Sequence, residues 1–463
     1  MHTTLTHDIT PAQPPKAPGG LPYFGHLVAF GRDPLTFLDK TLPLGDVVEV
    51  KIPGHRAFQL TRAEDVEYVL THTNDKAFAK FDIPIATVPL TLGEGLFTAK
   101  GDLWARQRRM MQPAFHRQRI EAYSTIMVER TQQMLARWQP TAGKEQIIDL
   151  RHEMMALTLE IVCDALFGVD TSQRVPILGE ALHVLVEDFV QRSENQLQLP
   201  PPIPTPRNRR LQKAIQTLET QLFEIVAERR AKGNLESGSD LLAMMLLAQD
   251  EEHGAMSDKQ LRDELITLFL AGHETTALAL TWAFYLLSQH PAIDNAIAAE
   301  IRQALGDRQP TLADLPALAA AERVIKESMR LYPPLWSIAG RLVLEDCEIS
   351  GYLIPKDSVI FISPWAMHHH PRYFDDPMGF HPERWTEAFT KALPKYAYFP
   401  FGAGPRVCIG MPFAMLEATL ALAMVVRRFK LELVAGQEVA MLPSFTLRPK
   451  TEVHMRVQLR GNE

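Results

Sequence analysis

The sequence predicts a mainly α-helical protein with small β-sheets, organised as a single domain. From about residue 63 to residue 429, alanine- and leucine-rich stretches of helical pattern alternate with proline clusters. Short apolar-polar alternations, typical of strands, occur near residues 46–61, 349–362 and 431–459. Because strand segments come from both ends of the chain, the minor sheet should tie the chain into one intertwined domain.

The N-terminal segment, residues 1–21, is rich in proline and polar residues, and we predict a flexible arm ahead of a domain at residues 22–463 that it joins near Leu21 to Phe24. It has no apolar run long enough for a signal sequence or for a membrane span, which needs about 20 apolar residues. We therefore expect a cytoplasmic protein with no transmembrane anchor. Pro53-Gly54, between the first two alternations, indicates a hairpin.

Composition and charge narrow the class of protein. Of the 463 residues, 46% are hydrophobic, which is enough for a large buried core. The formal net charge of -7 argues against a nucleic-acid-binding protein. The cysteines Cys163, Cys347 and Cys408 are too few and too scattered for a disulfide framework, so a reducing compartment fits best.

One helix is unusually clear in the sequence. Ser257 and Gln260 have capping-box spacing, and an apolar pattern then runs to Ser288 before His290-Pro291 ends it. Some thirty residues at 1.5 Å rise span roughly 45 Å, about the width of a domain. We expect this helix to cross the centre of the molecule.

The middle of this helix carries the polar run AGHETT at residues 271–276. Glycine and threonines that bond back to the helix carbonyls can loosen the helical hydrogen bonds. The polar residues either face solvent or form a functional site, and the apolar surroundings favour a site. A zinc-protease helix is excluded because position 277 is alanine rather than histidine.

Cys408 lies in the glycine-punctuated segment FGAGPRVCIG, residues 401–410, which precedes a helical pattern from Met411 to Arg428. Glycines let backbone N–H groups approach the sulfur. Together with the positive end of the following helix, these donors should lower the thiol pKa and hold a thiolate as a metal ligand. For Cys163 and Cys347 we expect the commoner inert thiol.

The segment around Cys408 resembles the haem-binding loop of the cytochrome P-450 family, matching F-x-x-G-x-R-x-C-x-G at every fixed position. Other family markers follow in order from Trp104 to Gly410, so the resemblance covers nearly the whole chain. It implies the single-domain cytochrome P-450 fold, with the long central helix over the haem. It also implies haem b as cofactor, with Cys408 as the iron ligand.

The resemblance also implies roles for other residues. The 271–276 run matches A-G-x-[DE]-T-[TS], which implies that Ala271 contacts the cofactor, Thr275 lies beside the bound oxygen and Glu274 belongs to a proton-delivery path. Phe401 is implied as a cofactor contact. The haem propionates are assigned to the indole and guanidinium donors of Trp104, Arg108, Arg341 and Arg406.

Two further markers are interpreted as structural support. Glu327 and Arg330 share a helix face, and the family pattern adds Arg384 to give a buried network behind the haem. The family more often has phenylalanine where this chain has Trp385. The consecutive histidines at 368–370 are expected to be solvated loop residues and not metal ligands, because neighbouring side chains diverge.

The resemblance implies a haem-thiolate monooxygenase that inserts one oxygen atom from O2 into an organic substrate, by hydroxylation or epoxidation. By family position, the resemblance implies that the substrate pocket is lined by the segments at 81–97, 335–338 and 443–446 and by the long helix before Ala271. These segments are mainly aliphatic and aromatic, which favours a small apolar substrate: a fatty acid, a terpenoid or a polyketide-like molecule. The residues around Arg330 and Arg406 resemble the fatty-acid and microsomal branch more than the common soluble bacterial one. A haem-thiolate isomerase or dehydratase and a haem-based gas sensor remain alternatives.

Electrons are expected to come indirectly from NAD(P)H through a separate reductase system. The chain lacks a G-x-G-x-x-G dinucleotide fingerprint, and only 55 residues follow Cys408. The segment 100–119 holds a local excess of basic residues, which is either a solvated helix face or a docking patch for an acidic ferredoxin or flavodoxin. Its basic residues are Lys100, Arg106, Arg108, Arg109, Arg117 and Arg119.

Overall fold

The computed structural model confirms a mainly α-helical protein with small β-sheets. It describes residues 13–461 except 74–76, 82–86, 139–145, 168–172, 195–198, 234, 236–239, 251–253 and 339. The chain divides into two compact units. The first unit is Met1–Ile83, Trp336–Met378 and Thr390–Val407, and the second is Pro84–Leu335, Gly379–Phe389 and Cys408–Glu463.

The first unit is built around a five-stranded sheet with short helices. Its helices are α1 (Leu27–Arg32), α2 (Pro34–Thr41), α3 (Ala63–Thr71) and α14 (Pro364–His368). Its strands are β1 (Val47–Ile52), β2 (His55–Leu60), β3 (Phe78–Lys80), β7 (Arg341–Val343), β8 (Cys347–Ile349), β9 (Tyr352–Ile354) and β10 (Val359–Ile362).

The five-stranded sheet has the order β1-β2-β10-β7-β3, so it combines strands near residues 47–60 with strands near residues 341–362, as the sequence predicted. The strands near residues 429–459 belong to other sheets, so the prediction that a single minor sheet joins both ends of the chain is wrong. The predicted hairpin is confirmed: Ile52 pairs with His55 across Pro53-Gly54, and Gly54 has a φ of 82° that favours glycine. A bulky apolar core that includes Phe58 and Phe78 is fully buried against this sheet.

The second unit holds most of the helices. These are α4 (Val88–Thr91), α5 (Gly101–Met111), α6 (Arg117–Arg137), α7 (Leu150–Phe167), α8 (Val175–Glu194), α9 (Pro206–Ala231), α10 (Leu241–Leu247), α11 (Asp258–Gln289), α12 (Pro291–Leu305), α13 (Ala319–Leu331) and α16 (Met411–Arg428). A further helix, α15 (Glu387–Ala392), spans a segment boundary between the units.

The strands of the second unit form small sheets. They are β4 (Gln146–Asp149), β5 (Gln249–Asp250), β6 (Gly254–Ala255), β11 (Phe429–Leu433), β12 (Met441–Pro443), β13 (Leu447–Pro449) and β14 (His454–Leu459). The largest of these sheets has the order β11-β14-β4, and β12 and β13 form a separate hairpin.

Helix α11 is the long helix that the sequence predicted, and it begins with the predicted capping box. The Gln260 N–H donates to Ser257 Oγ and the Ser257 N–H to Gln260 Oε1, both over 3.2 Å. The helix ends at Gln289, just before His290-Pro291. It packs against α7, α13 and α16, and most of its residues are buried. Its many apolar contacts make it the central helix of the second unit.

The N-terminal arm is only partly described, because residues 1–12 lie outside the described residues. Residues 15–17 lie along β1: the Glu49 N–H donates to the Pro15 carbonyl, and the Ala17 N–H donates to the Glu49 carbonyl. Tyr23 is 97% exposed. The arm therefore attaches through residues 15–17 rather than near Leu21 to Phe24 as predicted. The single-domain boundary at 22–463 stays a prediction.

The histidines at 368–370 differ from the sequence expectation. His368 is fully buried and accepts a hydrogen bond from the Phe399 N–H, and His369 is also buried, with Nδ1 2.9 Å from the Trp365 carbonyl oxygen. Solvated loop histidines were therefore the wrong prediction for these two residues, because α14 turns them into the core of the first unit. In the described part of the chain, no group of three or more His, Cys, Asp or Glu side chains has a geometry that suits a metal ion.

Candidate active site

Cys408 lies in the second unit, three residues before the start of α16. The backbone N–H groups of Gly410 and Met411 donate to its sulfur, and Arg108 contributes a nearby positive charge. The side chain is exposed, yet the surrounding protein raises the pKa of the thiol, because desolvation outweighs these favourable interactions. The predicted lowering of the pKa is therefore wrong for the thiol as it stands. Since a bound metal ion deprotonates a coordinating thiol, this accessible, N–H-supported sulfur fits an iron ligand.

The glycines before Cys408 belong to the first unit. Gly404 has a φ of 68°, and a Cβ atom there would lie 2.3 Å from the carbonyl oxygen of Leu70. Only glycine therefore fits at this point of the loop. Phe401 and Arg406, which flank these glycines, are both half-buried.

Arg341 is almost fully buried in the first unit, near Arg406. Burial and the like charge of Arg406 lower the pKa of Arg341 to about 10. Its Nε donates to Thr73 Oγ1 over 2.8 Å, a partner that the sequence pattern did not indicate. Two guanidinium groups that repel each other favour an anion in their vicinity, and carboxylates such as the haem propionates meet that requirement.

Trp104 and Arg108 lie one turn apart on α5. Trp104 is buried and Arg108 is half-buried. Burial lowers the pKa of Arg108, and the interaction with Cys408 opposes that shift. Helix α5 therefore holds a cationic side chain beside the candidate iron ligand.

The centre of α11 exposes one face of an otherwise buried helix. Ala271 is exposed and Thr275 is half-buried, while Glu274 is buried on the neighbouring face. Thr275 Oγ1 donates to the Ala271 carbonyl over 2.7 Å, as expected for a threonine that bonds back to the helix. The helix nevertheless continues without interruption, so the predicted loosening is not observed. An accessible alanine at this position leaves room for a flat group.

Gly272 has a packing reason that the sequence could not supply. A Cβ atom at this position would lie 3.1 Å from Val162 Cγ2 on α7. The glycine therefore lets the two helices approach closely at the centre of the second unit.

Glu274 is held by two residues of the β12–β13 hairpin that sequence reasoning missed. Its Oε1 accepts from Thr446 Oγ1 over 3.0 Å and from Arg448 Nη2 over 2.9 Å. The partners are 172 and 174 residues away in the sequence, so no spacing pattern could reveal them. The only signal was the general one that an acid in an apolar helix needs a partner.

The predicted Glu327 network is confirmed. Arg330 donates to both carboxylate oxygens of Glu327, over 2.9 and 2.8 Å, and Arg384 Nε donates over 3.1 Å. Trp385, at the position where the family more often has phenylalanine, adds an indole N–H donor at 2.9 Å. Glu327 and Arg330 are completely buried, so the carboxylate and its donors satisfy each other inside the core.

Three phenylalanines in the second unit form an apolar surface that is partly exposed. Phe445 lies in the β12–β13 turn. The centroid of its ring is 5.7 Å from that of Phe97 and 4.8 Å from that of Phe189. Phe97 and Phe445 are 38% and 36% exposed. Two of these residues belong to segments that the sequence predicted to face the substrate, and Phe189 on α8 was missed.

The loop before Phe97 is attached to α11 by two acidic residues. The Leu96 N–H donates to Glu264 over 2.9 Å, and the Glu94 N–H donates to Asp263 over 3.0 Å. Glu264 is completely buried, and burial raises its pKa to about 8. These contacts fix the backbone that carries Phe97.

Comparisons with known proteins identify the class. The structure matches the haem domain of cytochrome P450DA with a TM-score of 0.83 and 27% sequence identity, covering 97% of this chain and 98% of that chain. The fold is thus that of a haem-thiolate oxygenase domain. The family model "Cytochrome P450" matches residues 14–455. The chain belongs to the cytochrome P450 family.

Two relatives from Streptomyces are named as oxygenases. Cyclooctat-9-en-7-ol 5-monooxygenase of Streptomyces melanosporofaciens is 35% identical, over 92% of this chain and 94% of its own length. Pentalenene oxygenase of Streptomyces avermitilis is 32% identical, over 96% of this chain and 97% of its own length. The protein is therefore a haem-thiolate monooxygenase that uses O2, a hydrophobic substrate and electrons from a redox partner.

Two sequence predictions receive less support. The likeness to the fatty-acid and microsomal branch is not confirmed, since the relatives above are bacterial enzymes named for other compounds. Among the described residues, no helix is long and apolar enough to cross a membrane. The cytoplasmic location stays a prediction.

Proposed function

We propose that this enzyme oxygenates a cyclic terpenoid, either a hydrocarbon or a mono-alcohol. The observation that carries the proposal is the uncharged aromatic surface of Phe97, Phe189 and Phe445. Such a surface binds rigid hydrocarbon rings through apolar contact and offers no charge to a fatty-acid carboxylate. Two relatives named for cyclooctat-9-en-7-ol and pentalenene, which are cyclic compounds with few or no oxygen atoms, support the same class.

The test is a binding screen followed by product analysis. Cyclic terpenes, terpenoid alcohols, fatty acids and macrolide-type polyketides are added to the purified enzyme, and the substrate-induced shift of the haem absorption is recorded. We expect saturating shifts with cyclic terpenoids, and with labelled O2 a product that gains one labelled oxygen. A saturating shift and product with fatty acids alone would contradict the proposal.

For the cofactor, we propose haem b bound through Cys408. When bound, the haem iron with its thiolate ligand supplies the activation of O2. By the family resemblance, Ala271 and Phe401 would contact the haem ring, and Trp104, Arg108, Arg341 and Arg406 would bind the propionates. NAD(P)H is the ultimate electron source.

For proton delivery, we propose that Thr275 and Glu274 act in sequence. The Thr275 hydroxyl donates its hydrogen to the Ala271 carbonyl, so its oxygen lone pairs are directed to the accessible side of α11. Glu274, the residue directly before it on the helix, receives protons at its carboxylate. Glu274 passes a proton to the Thr275 hydroxyl, which in turn releases its own proton, one at a time, to the oxygen that would be bound beside it.

Thr275→Ala should uncouple electron consumption from product formation. We expect product per NAD(P)H to fall by about an order of magnitude or more, with hydrogen peroxide in its place, while substrate binding is unchanged. Product, peroxide and NAD(P)H are measured together. The control is Thr281→Ala, which removes the same kind of bond to a helix carbonyl at a fully buried site. Parental coupling in Thr275→Ala would remove this residue from the mechanism.

For the redox partner, we propose an acidic ferredoxin or flavodoxin that docks on the basic segment at 100–119. Phe115 lies next to Gly410, since a Cβ atom there would be 3.8 Å from its ring, and the Tyr123 ring packs against Phe413. The basic segment is therefore adjacent to the helix that follows Cys408, where a short path for electrons is available. The positive charge of the segment suits an acidic partner.

The exposure of the basic residues supports a choice among them for the proposed docking patch. Lys100, Arg109 and Arg119 are exposed. Arg106 is half-buried and donates to the Gly254 carbonyl over 3.3 Å, and the side chain of Arg117 lies outside the described part of the chain. The exposed three are therefore the residues to change.

Replacing Lys100, Arg109 and Arg119 with glutamate should slow reduction of the iron by an acidic ferredoxin about tenfold or more at low ionic strength. The difference should shrink as salt is added, because rim charges act mainly on association. A matched control replaces Arg209, Lys213 and Lys232, exposed on or just after α9. Equal reduction rates for both triple variants across a salt series would place the docking site elsewhere.

A further inference from the structure

We propose that Arg448 and Thr446 are positioning residues for Glu274, which fix its carboxylate for proton delivery; this inference rests on the role proposed above for Glu274. Both hold the same oxygen, Oε1, at 2.9 and 3.0 Å. The second oxygen, Oε2, takes part in neither bond. A carboxylate fixed through one oxygen keeps a defined direction for the other, which is the requirement for passing a proton.

The contact lies in a mostly dry environment. The side chains of Glu274 and Arg448 are 9% and 13% exposed, and Thr446 is 1% exposed. Arg448 Nε is buried and has no hydrogen-bond partner in the described structure, so the bond from Nη2 to Glu274 is the main polar interaction of this guanidinium. Removing either partner leaves a poorly hydrated charge behind, which makes the two residues strongly dependent on each other.

The hairpin that carries Arg448 is anchored to α11 itself. The indole N–H of Trp282 donates to the Leu447 carbonyl over 2.9 Å, and the Leu447 N–H donates to the Pro334 carbonyl over 2.9 Å. Arg448 follows directly after this anchored residue. Its position relative to Glu274, two turns earlier on α11, is therefore set by the hydrogen bonds that hold the backbone of Leu447 and not by the flexible Arg448 side chain alone.

The turn of the same hairpin presents opposite faces at successive residues. Ser444 N and Oγ both donate to the Thr446 carbonyl over 3.1 Å, which tightens the turn. Phe445 projects its ring onto the aromatic surface, whereas Thr446 turns inward to Glu274. A segment of five residues thus joins the proposed substrate surface to the proposed proton donor.

The experiment compares Arg448→Gln, Thr446→Val and Glu274→Gln in the haem-loaded enzyme. We expect Arg448→Gln to lower product per NAD(P)H by nearly the same factor as Glu274→Gln. The variant that combines these two substitutions should form no less product per NAD(P)H than either single variant. The solvent deuterium isotope effect on product formation should rise in Arg448→Gln and in Glu274→Gln. Lys450→Gln, which removes an exposed positive charge two residues away, is the control and should match the parent.

Two further measurements separate positioning from general damage. Arg448 contacts Glu274 through one nitrogen and not through a bidentate fork, so a lysine can replace it. Arg448→Lys should therefore retain most of the parental product per NAD(P)H. In a double-mutant cycle by denaturant unfolding, Glu274 and Arg448 should couple by roughly tenfold in the unfolding equilibrium constant. That unfolding measurement does not depend on turnover.

The inference would be overturned if Arg448→Gln formed as much product per NAD(P)H as the parent while Glu274→Gln formed clearly less. That result would leave the proposed role of Glu274 standing. If Glu274→Gln formed as much product per NAD(P)H as the parent, the proton-delivery role of Glu274 would be overturned, and the inference with it. If Arg448→Gln does not fold, Thr446→Val decides. Less product per NAD(P)H than the parent at full haem content supports the inference, and an unchanged value contradicts it.

Discussion

Replacing Cys408 with alanine should abolish the strongly red-shifted Soret band of the ferrous CO complex, which reports a thiolate ligand. The sulfur is accessible and is supported by the Gly410 and Met411 N–H groups and by Arg108. Alanine offers no donor atom, and in the described part of the chain no cluster of His, Cys, Asp or Glu is arranged to hold a metal. The CO difference spectrum of the purified variant is the measurement.

The other two cysteines are the controls for this experiment. Cys163 is fully buried on α7, and Cys347 is half-buried in β8, where burial raises the pKa of its thiol. Both alanine variants should keep the red-shifted band at parental intensity per haem. A Cys408→Ala enzyme that kept the band would show that the iron ligand is another residue.

The second large effect is expected from Glu327→Gln. This change leaves the fully buried Arg330 without a counter-charge, since Glu327 accepts from Arg330, Arg384 and Trp385. Breaking a buried ion pair from one side costs about 3–5 kcal/mol of stability. We expect a large drop in the free energy of unfolding, measured with urea, together with loss of haem from the purified protein.

The matched control lies on the same helix. Glu322 pairs with Lys326 over 2.7 Å at a side-chain exposure of 43%, and an exposed pair of this kind contributes up to about 1 kcal/mol. Glu322→Gln should therefore have little effect on unfolding. If the two variants unfolded at the same urea concentration, the Glu327 network would not be the stabilising element that its burial indicates.

Trp385→Phe tests the one departure from the family pattern. It removes a single hydrogen bond to a charged group, worth about 1.5–3 kcal/mol. Its effect on unfolding should lie between those of Glu322→Gln and Glu327→Gln. The sequence alone could not distinguish a neutral replacement from an added donor, because that depends on whether the indole N–H reaches the carboxylate.

Local patterns were sufficient wherever the relevant partners are close in the chain. The capping box fixed the start of α11 within a residue, the Pro53-Gly54 turn set the hairpin register, and the Glu327–Arg330 pair follows from helix geometry. The motif around Cys408 and the order of the other markers led to the family, which the comparisons confirm. The wrong predictions concern environment and long-range contacts: the burial of His368 and His369, the direction of the Cys408 pKa shift, the attachment point of the N-terminal arm, the loosening of α11 and the joining of the C-terminal strands to the main sheet.

By itself, the sequence determined the helical class, the family and the candidate residues, because these depend on spacings of a few residues and on long, specific motifs. Only the tertiary structure decided what surrounds each residue. It brought Thr446 and Arg448 to Glu274, Arg406 near Arg341, and Phe189 to Phe445. Such partners lie far apart in the chain, and desolvation and Coulomb energies depend on the distances that folding creates between them.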